Sequence, residues 1–255
     1  MSGLSPAPKA VLITGAGVRL GRAMAIDMAA AGYAVAVHYN SSADAANEVV
    51  AQITSTGGKA AAVRANLADE AGTQALIGKA VDAIGPLGMV VNNASVFEDD
   101  AMGDERTLWD LHFNVHLRAP SLLAAAFDAQ LPADTSGLIV NIIDERVLAL
   151  NPKFHSYTLS KSALWTATRT MAQALAPRIR VNAIGPGPTL PNSRQTQADF
   201  DAQVNSLPLK IAPELSDFAK TLLYFADTPS LTGQMIALDG GQHLAWQTPD
   251  QSVAE

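Results

Sequence analysis

The sequence predicts a single α/β domain with a doubly wound parallel sheet and helices on both faces. Three observations predict this fold. Short apolar runs alternate with longer alanine-rich stretches, the runs are apolar throughout their length, and a glycine-rich turn follows the first run. Strands that are apolar on both faces are typical of a parallel sheet that helices cover on each side. Right-handed crossovers between such strands give the doubly wound arrangement.

The expected elements follow one another in a strand–helix rhythm. Each strand is assigned to an apolar run of strand length, and each helix to a longer stretch rich in alanine, which suits close packing of helices. The strands are expected at residues 10–13, 34–37, 60–63, 89–91, 138–143 and 179–184, and the helices at 20–31, 43–55, 70–84, 108–130 and 156–176.

Length and composition indicate one soluble domain. With 255 residues, of which 48% are hydrophobic, the chain can bury a large core. We predict one domain over residues 1–255, with a flexible start at 1–8 and a tail at 247–255. No run of eighteen apolar residues occurs, and residues 1–9 hold small residues and two prolines rather than a signal sequence. We therefore expect a cytoplasmic protein without a membrane partner.

Charge and residue types narrow the partners to small molecules. A net charge of −7 argues against broad nucleic-acid binding. The chain has no cysteine, which excludes disulfides, thiolate metal sites and a cysteine nucleophile. Its five histidines lack the spacing of metal ligands, so we expect no metal site.

A glycine-rich turn at residues 14–21 joins the first predicted strand to the first helix. Such a turn brings backbone N–H groups and a helix N-terminus to a pyrophosphate, as in Rossmann-like domains. Its spacing departs from G-x-G-x-x-G, because Arg19 stands two residues before Gly21. We predict a dinucleotide site with contacts from Gly15, Arg19 and Leu20; a glycine turn without a ligand is the alternative.

The end of the second predicted strand favours NADP(H) over NAD. The run 38–42 has no acidic residue to hold the adenosine 2′-hydroxyl. Arg19 is expected to pair with a 2′-phosphate, to which serine hydroxyls would also donate. The contacts expected at this end of the cofactor come from Tyr39, Asn40, Ser41, Ser42, Asn66 and Leu67.

Tyr157 and Lys161 place a phenol and an ammonium four residues apart. On a helix these positions share a face, so the lysine charge would favour the ionised tyrosine. A tyrosine tuned in this way can exchange a proton near neutral pH. The spacing also occurs often by chance, and only its combination with the glycine-rich turn indicates a reductase.

A segment rich in Gly, Pro, Ser and Asn, at residues 185–194, begins the predicted substrate loop 185–210. Long loops often carry function, and Leu190 in this segment is a candidate substrate contact. A long connection without a functional role is the alternative.

Together these motifs resemble the short-chain dehydrogenase/reductase family over nearly the whole chain. The resemblance implies a homotetramer and cofactor contacts from Asn93, Ala94, Ser95, Pro186 and Gly187, besides Tyr157 and Lys161. It is carried by Thr14-Gly15-x-x-x-Arg19-x-Gly21, Asn92-Asn93-Ala94-Ser95, Asn114, Tyr157-x-x-x-Lys161, Pro186-Gly187 and Asp239-Gly240-Gly241.

Three departures from the commonest family pattern resemble the pteridine and dihydromonapterin reductases. Arg19 replaces the middle glycine, Ser95 replaces the glycine after Asn-Asn-Ala, and Asp144 stands thirteen residues before Tyr157, where most members carry serine. The resemblance implies that Phe97 holds a flat pterin ring against the nicotinamide. The substrate contacts it implies are Arg19, Ser95, Phe97, Asp144, Tyr157 and Leu190.

The expected reaction is hydride transfer from NADPH to a dihydropterin, with a proton from Tyr157. By the resemblance, Lys161 holds the nicotinamide ribose, Asp144 orients the tyrosine or the substrate, and Asn114 completes a proton relay. Dihydromonapterin, dihydrobiopterin and dihydrofolate stay open as substrates.

Two other functions are open: a carbonyl or 3-ketoacyl reductase that uses NADPH, and an NADP-binding sensor without turnover. Two of the proposed site residues also have a purely structural alternative. Asp144, at the end of a predicted strand, would only cap or pair with neighbouring residues, and Phe97 would be an ordinary core phenylalanine.

Overall fold

One parallel sheet of seven strands forms the centre of the molecule in the computed structural model, which describes residues 3–103, 106–192 and 194–246. The strands lie in the order β3-β2-β1-β4-β5-β6-β7. They are β1 (Ala10–Ile13), β2 (Ala34–Tyr39), β3 (Ala60–Arg64), β4 (Met89–Asn92), β5 (Gly137–Ile142), β6 (Ile179–Pro186) and β7 (Met235–Leu238).

Eight α-helices accompany the sheet in the described part of the chain. A π-helical turn, Asn114–Arg118, joins the fourth to the fifth, and short 3-10 turns lie at Glu145–Val147 and Gln242–Leu244. The helices are α1 (Arg19–Ala30), α2 (Ala43–Ser55), α3 (Glu70–Ile84), α4 (Arg106–Phe113), α5 (Ala119–Gln130), α6 (His155–Leu175), α7 (Gln197–Asn205) and α8 (Leu215–Asp227).

The core has two layers, one on each face of the sheet. Leu12 of β1 packs into the layer that contains Phe127 of α5. Its neighbours Val11 and Ile13 pack into the opposite layer, which contains Phe218 of α8. Because both faces are covered, every residue of β1 is buried, which explains the continuously apolar strands. Each fully buried phenylalanine contributes about 1.5–3 kcal/mol relative to an exposed one.

The strand order reverses between β1 and β4, and this reversal positions the site. Successive strands β1, β2 and β3 run outward on one side, and β4 to β7 run outward on the other. The crevice at the carboxyl ends of β1 and β4 is the topological switch point, where doubly wound sheets bind their ligands. The predicted doubly wound fold is confirmed.

Three elements, β7, α7 and α8, lie outside the strands and helices predicted from the sequence. The predicted loop 185–210 contains α7, whose start is fixed by a capping box between Thr196 and Asp199. The predicted helix 108–130 is interrupted by the π-helical turn. None of the described helices is long and apolar enough to cross a membrane.

The ends of the domain are described only in part. Residues 1 and 2, and the tail 247–255, lie outside the described residues. Within the expected flexible start, Ser5 pairs with Thr135, and the Ser5 carbonyl accepts the N–H of Ser136 at 2.9 Å.

Candidate active site

The turns that follow β1 and β4 are tied together by hydrogen bonds. Thr14 follows β1, and its hydroxyl oxygen accepts the N–H groups of Asn93 at 2.8 Å and Ala94 at 2.9 Å. The Asn93 side chain donates to the Thr14 carbonyl at 2.8 Å. The two cofactor motifs of the sequence therefore form one surface at the switch point of the sheet.

Two glycines shape the turn after β1. Gly15 has a φ of +63°, a left-handed conformation that glycine adopts without strain. A Cβ at Gly21 would lie 2.2 Å from the Gly15 carbonyl oxygen and 2.6 Å from Asn93 Nδ2, so a larger residue does not fit. Val18, the N-cap of α1, gives no side-chain cap. The first N–H groups of α1 are therefore available to an anion at this turn.

His38, which belongs to none of the predicted site residues, holds the glycine turn in place. Its Nδ1 accepts the N–H of Gly15 at 3.0 Å, and its Nε2 lies 3.2 Å from the carbonyl oxygen of Ala65. These contacts define a neutral ring with the proton on Nε2. Burial lowers the pKa of His38 to about 4, against a weaker opposing effect of the Ala65 hydrogen bond.

Because His38 is neutral when buried, acidification is expected to destabilise the protein. The unfolded state binds a proton at His38 below pH 6.5, whereas the folded state binds it only below about pH 4. Stability is therefore lost as the pH falls through this window, by about 2 kcal/mol at pH 5 from this residue. Urea unfolding at pH 7 and pH 5 measures the loss.

A His38→Asn variant is the matched control for this prediction. The asparagine oxygen can accept the Gly15 N–H in place of Nδ1 but does not titrate. Its free energy of unfolding should drop by about 2 kcal/mol less between pH 7 and pH 5 than that of the natural protein. Equal drops would show that His38 is not the buried neutral group.

The residues expected at the adenosine end of the cofactor lie together at the carboxyl ends of β2 and β3. The N–H of Ala65 donates to the carbonyl of Tyr39 at 3.1 Å, so the two strand ends adjoin. Asn66 Oδ1 accepts the N–H of Ala68 at 3.0 Å, which fixes the next turn, and Leu67 is buried. Asn40, Ser41 and Ser42 form the connection from β2 to α2.

Arg19 connects the cofactor turn to the predicted substrate loop. It has a φ of +50°. Its guanidinium donates to the carbonyl oxygens of Pro191 at 3.0 Å and Leu190 at 3.3 Å. In this conformation the arginine is engaged with the loop rather than with the serines after β2. Pairing between Arg19 and a 2′-phosphate stays a prediction.

The Pro186-Gly187 motif packs against the Asp239-Gly240-Gly241 motif at the other end of the sheet. The N–H of Gly187 donates to the carbonyl of Leu238 at 2.8 Å. A Cβ at Gly187 would lie 2.6 Å from the Asp239 Cα, so glycine is required there. Asp239 is buried and accepts the N–H groups of Gly241 and His243. The start of the predicted substrate loop is thus held rigidly.

Asp144 and Tyr157 make direct contact. The Tyr157 hydroxyl donates to Asp144 Oδ2 at 2.7 Å, and Asp144 Oδ1 accepts the N–H of Arg146 at 2.9 Å. Asp144 therefore caps the 3-10 turn and also binds the tyrosine, so its contacts are not limited to the local cap, and its part in catalysis stays a prediction. Tyr157 stands in the first turn of α6 and is only 5% exposed.

The charges around Tyr157 favour its protonated form. Burial, the charge of Asp144 and the hydrogen bond to Asp144 raise the pKa of Tyr157 well above 10.0. Arg146 and the Ser95 hydroxyl lower this pKa by less. The outcome differs from the expected lowering of the Tyr157 pKa by Lys161, because burial and the Asp144 carboxylate outweigh Arg146 and Ser95. A phenol held in this form can donate a proton but does not readily lose it to water.

Lys161 lies behind Tyr157 on the same face of α6. Its Nζ donates to the carbonyl oxygen of Ile142 at 2.9 Å and lies 5.7 Å from the centre of the Tyr157 ring. Burial lowers the pKa of Lys161 to about 8, against an opposing effect of Asp144. Asn114, the other expected relay residue, begins the π-helical turn, and its carbonyl accepts the N–H of Ala119.

Phe97 belongs to a cluster of aromatic rings and arginines. It stacks on Phe154 with ring centres 4.2 Å apart and meets the edge of Tyr157 at 4.7 Å. Arg146 lies 5.7 Å from the centre of Phe97 and 5.2 Å from that of Phe154, and Arg194 lies 5.1 Å and 5.3 Å from them. Since each guanidinium is nearly equidistant from both rings, the arginines flank the stack. One face of Phe97 is thus covered by Phe154.

Two buried histidines also escaped the sequence analysis, although their spacing gave a signal. His112 and His116 are four residues apart, as are Ser156 and Ser160 on the neighbouring α6. The pairs meet at 2.6 Å and 2.8 Å. Equal spacing on two adjacent helical segments predicts such a double contact. Phe154, Arg146 and Arg194 carried no comparable signal, because a helix cap, a 3-10 turn and a loop bring them to the site.

Comparison with known proteins supports the interpretation of these motifs. The sequence matches the family model for short chain dehydrogenases over residues 9–202. The 3-oxoacyl-[acyl-carrier-protein] reductase FabG of Staphylococcus epidermidis is 31% identical over 242 residues, covering 92% of this chain and 99% of the relative. A short-chain type dehydrogenase/reductase of Picea abies is 30% identical over 251 residues, covering 92% of either chain.

Three solved structures are similar to this chain, and two of them have higher sequence identity than the relatives above. FolM alternative dihydrofolate reductase 1 from Brucella canis, complexed with NADP, is 55% identical, with a TM-score of 0.92 and coverage of 94% of this chain and 96% of the other. Its counterpart from Brucella suis, also with NADP, is 54% identical with a TM-score of 0.92, covering 98% and 99%. A metagenomic blue fluorescent protein with NADPH is 28% identical, with a TM-score of 0.82 and coverage of 94% and 99%.

Proposed function

Because the chain belongs to the short-chain dehydrogenase family, we propose that it is an NADPH-dependent reductase of dihydropterins. The observation that carries the proposal is the 2.7 Å hydrogen bond from Tyr157 to Asp144, at a position where the resemblance implies serine in most members. The two Brucella proteins, described as dihydrofolate reductases complexed with NADP, support the same cofactor and substrate class.

The residues at the switch point fit a dinucleotide. Glycine is required at Gly15 and Gly21, which leaves backbone exposed to a pyrophosphate at the start of α1. No acidic residue stands at 38–42 to repel a 2′-phosphate. When bound, NADPH supplies the hydride. Asn93, Ala94, Ser95, Pro186, Gly187 and Lys161 are the residues that would line the path of its nicotinamide half.

Tyr157 is the group that would supply the proton. Its raised pKa keeps it a phenol at neutral pH, so the proton is present when substrate arrives. Reduction of a C=N bond requires a hydride at carbon and a proton at nitrogen. Tyr157 would give its proton to that nitrogen, and Asp144 would hold the hydroxyl in position before the transfer.

The aromatic cluster favours a flat substrate. Phe97 lies within 4.7 Å of the Tyr157 ring centre, so a ring stacked on Phe97 would lie beside the proton donor. Offset stacking adds about 0.5–1.5 kcal/mol beyond burial. Because Phe154 covers one face of Phe97, a pterin would either displace Phe154 or stack on the opposite face. The other expected contacts are Arg19, Ser95 and Leu190.

A 3-ketoacyl reductase is the second candidate, favoured by the 31% identity to FabG. In that case Asp144 would be an incidental substitution. A sensor that binds NADP without turnover is disfavoured, since it needs no Tyr157 held against a carboxylate. The proposal also includes a homotetramer, which rests on the family resemblance, and the cytoplasmic location expected from the sequence; sedimentation tests the tetramer.

The experiment that tests the proposed function is a substrate panel. Initial rates of NADPH oxidation are measured with dihydromonapterin, dihydrobiopterin, dihydrofolate and an acetoacetyl thioester, and NADH replaces NADPH in the controls. We expect faster reduction of at least one pterin than of the thioester, and faster rates with NADPH. Activity on the thioester alone would reject the dihydropterin substrate, while the family assignment would stand. Binding of NADPH without oxidation would favour the sensor.

A further inference from the structure

The His116 side chain links the wall of the substrate site to the catalytic helix. Its Nε2 lies 3.0 Å from Ser95 Oγ and accepts the N–H of Val96 at 3.0 Å. Its Nδ1 lies 2.8 Å from Ser160 Oγ, in the turn of α6 between Tyr157 and Lys161. The residue is 1% exposed and stands in the π-helical turn, a feature often found at functional sites.

Hydrogen-bond accounting fixes the tautomer of His116. The Ser160 hydroxyl donates to the carbonyl oxygen of Tyr157 at 2.8 Å, so its oxygen is left to accept, and His116 Nδ1 must be the donor to it. Burial lowers the pKa of His116 far below 6.5, with further lowering by Lys161 and His112, which keeps the ring neutral. Nε2 is therefore an acceptor, shared by Val96 and Ser95.

This shared acceptor leaves the Ser95 hydroxyl free to change partners. If Ser95 turns away, Nε2 still accepts the N–H of Val96, so no buried nitrogen loses its last partner. In the structure the single hydroxyl proton of Ser95 goes to His116 Nε2. A hydrogen bond from Ser95 to the Tyr157 oxygen would favour the ionised phenol, and Ser95 is among the groups that lower the Tyr157 pKa. The His116 ring itself meets the Tyr157 ring edge-on, with centres 5.3 Å apart.

We propose that His116 is a positioning residue that holds the Ser95 hydroxyl beside Tyr157, so that this hydroxyl donates to the tyrosine oxygen once the phenol has given up its proton. The inference rests on the proposed function and adds a second hydrogen-bond path to Tyr157. Asp144 accepts from the phenol before proton transfer, and Ser95 donates to the phenolate after it. No atom is gained or lost in the change; only the direction of the Ser95 O–H differs.

Two substitutions separate the two sides of the His116 ring. In His116→Gln the amide oxygen reaches the position of Nε2 and can accept from Ser95 and Val96. In His116→Asn the amide reaches only the position of Nδ1 and keeps the contact with Ser160. We expect His116→Asn to lower kcat by about tenfold, the effect of one hydrogen bond to a charged group, and His116→Gln to restore kcat to within threefold of the natural protein. KM for NADPH should change little in either.

His112 provides a matched control. It is fully buried, stacks on His116 at 5.5 Å and bonds Ser156 of α6 through Nδ1 at 2.6 Å. It also meets the Tyr157 ring edge-on at 5.9 Å. His112→Asn keeps the serine contact, as His116→Asn does, and should change kcat by less than threefold.

Coupling to Ser95 distinguishes positioning from a general structural effect. Ser95→Ala should lower kcat as much as His116→Asn, and the double variant should be no slower than either single variant. Equal losses in His116→Asn and His116→Gln, or losses that multiply in the double variant, would overturn the inference. If His116→Asn does not fold, Ser95→Ala decides, since an undiminished kcat in that variant would also overturn it.

Failure of the inference and failure of the proposed function give different results. The variants are compared on whichever substrate of the panel the natural protein reduces fastest. If that substrate is the thioester, the dihydropterin proposal is rejected, while the kcat ratios among the His116 and Ser95 variants still test the hydrogen-bond path.

Discussion

Replacing Tyr157 with phenylalanine is expected to lower kcat for dihydropterin reduction by about 10²- to 10⁴-fold, the usual contribution of a general acid. The substitution removes the only proton of the Tyr157–Asp144 hydrogen bond and keeps the ring that packs on Phe97. NADPH binding should be nearly unchanged, because the glycine turn and the β4 turn are untouched. Steady-state rates and a fluorescence titration with NADPH measure the two quantities.

The control is Tyr224→Phe, which removes a hydroxyl from a tyrosine that is 52% exposed on α8. That variant should keep the activity and stability of the natural protein. Tyr157→Phe leaves Asp144 Oδ2 without its donor, which costs about 1–3 kcal/mol, so thermal unfolding should confirm that the variant is folded at the assay temperature. Undiminished turnover in folded Tyr157→Phe would remove the tyrosine from the mechanism.

The parts of the fold that the sequence predicted are those whose signal is local. Five of the six predicted strands are buried over most of their length, and their apolar runs show this directly. The sixth, β3, lies at the sheet edge and is mostly half-buried. β7 was missed although Met235–Leu238 is an apolar run of four residues, as long as β1. The capping box at Thr196 and Asp199 was a readable signal for α7, but the many Gly, Pro and Asn residues before it favoured a loop.

In the candidate site, too, the residues with a local sequence signal were predicted and the contacts that depend on the tertiary structure were not. Motif residues such as Gly21 were predictable because a close approach of backbone demands glycine there. The pairing of Asp144 with Tyr157 followed from the family pattern. The contact between His38 and Gly15 was not predictable, because it depends on the register between β1 and β2. The contact between His116 and Ser95 depends on the π-helical turn, and no local sequence pattern predicted that turn.

Replacing Asp144 with serine is expected to impair dihydropterin reduction by about 10- to 150-fold in kcat/KM, the range for one hydrogen bond to a charged group. Serine is too short to accept from Tyr157 and also cap Arg146 as the carboxylate does. The loss should be larger for dihydropterins than for any ketone that the protein reduces, since the resemblance implies serine at this position in most members. If Asp144→Ser leaves kcat/KM unchanged, the dihydropterin proposal loses the residue that most supports it.

Asp144→Asn separates the charge of this residue from its shape. The asparagine oxygen can still accept from Tyr157, but the negative charge that helps to raise the tyrosine pKa is gone. The pKa of Tyr157 should therefore fall toward its ordinary value. Because reduction needs the protonated phenol, activity is lost as pH rises through that pKa, and the alkaline decline should begin at lower pH in Asp144→Asn than in the natural protein. Identical pH–rate profiles would mean that Asp144 acts through geometry alone, and a decline at higher pH would contradict the assigned role of its charge.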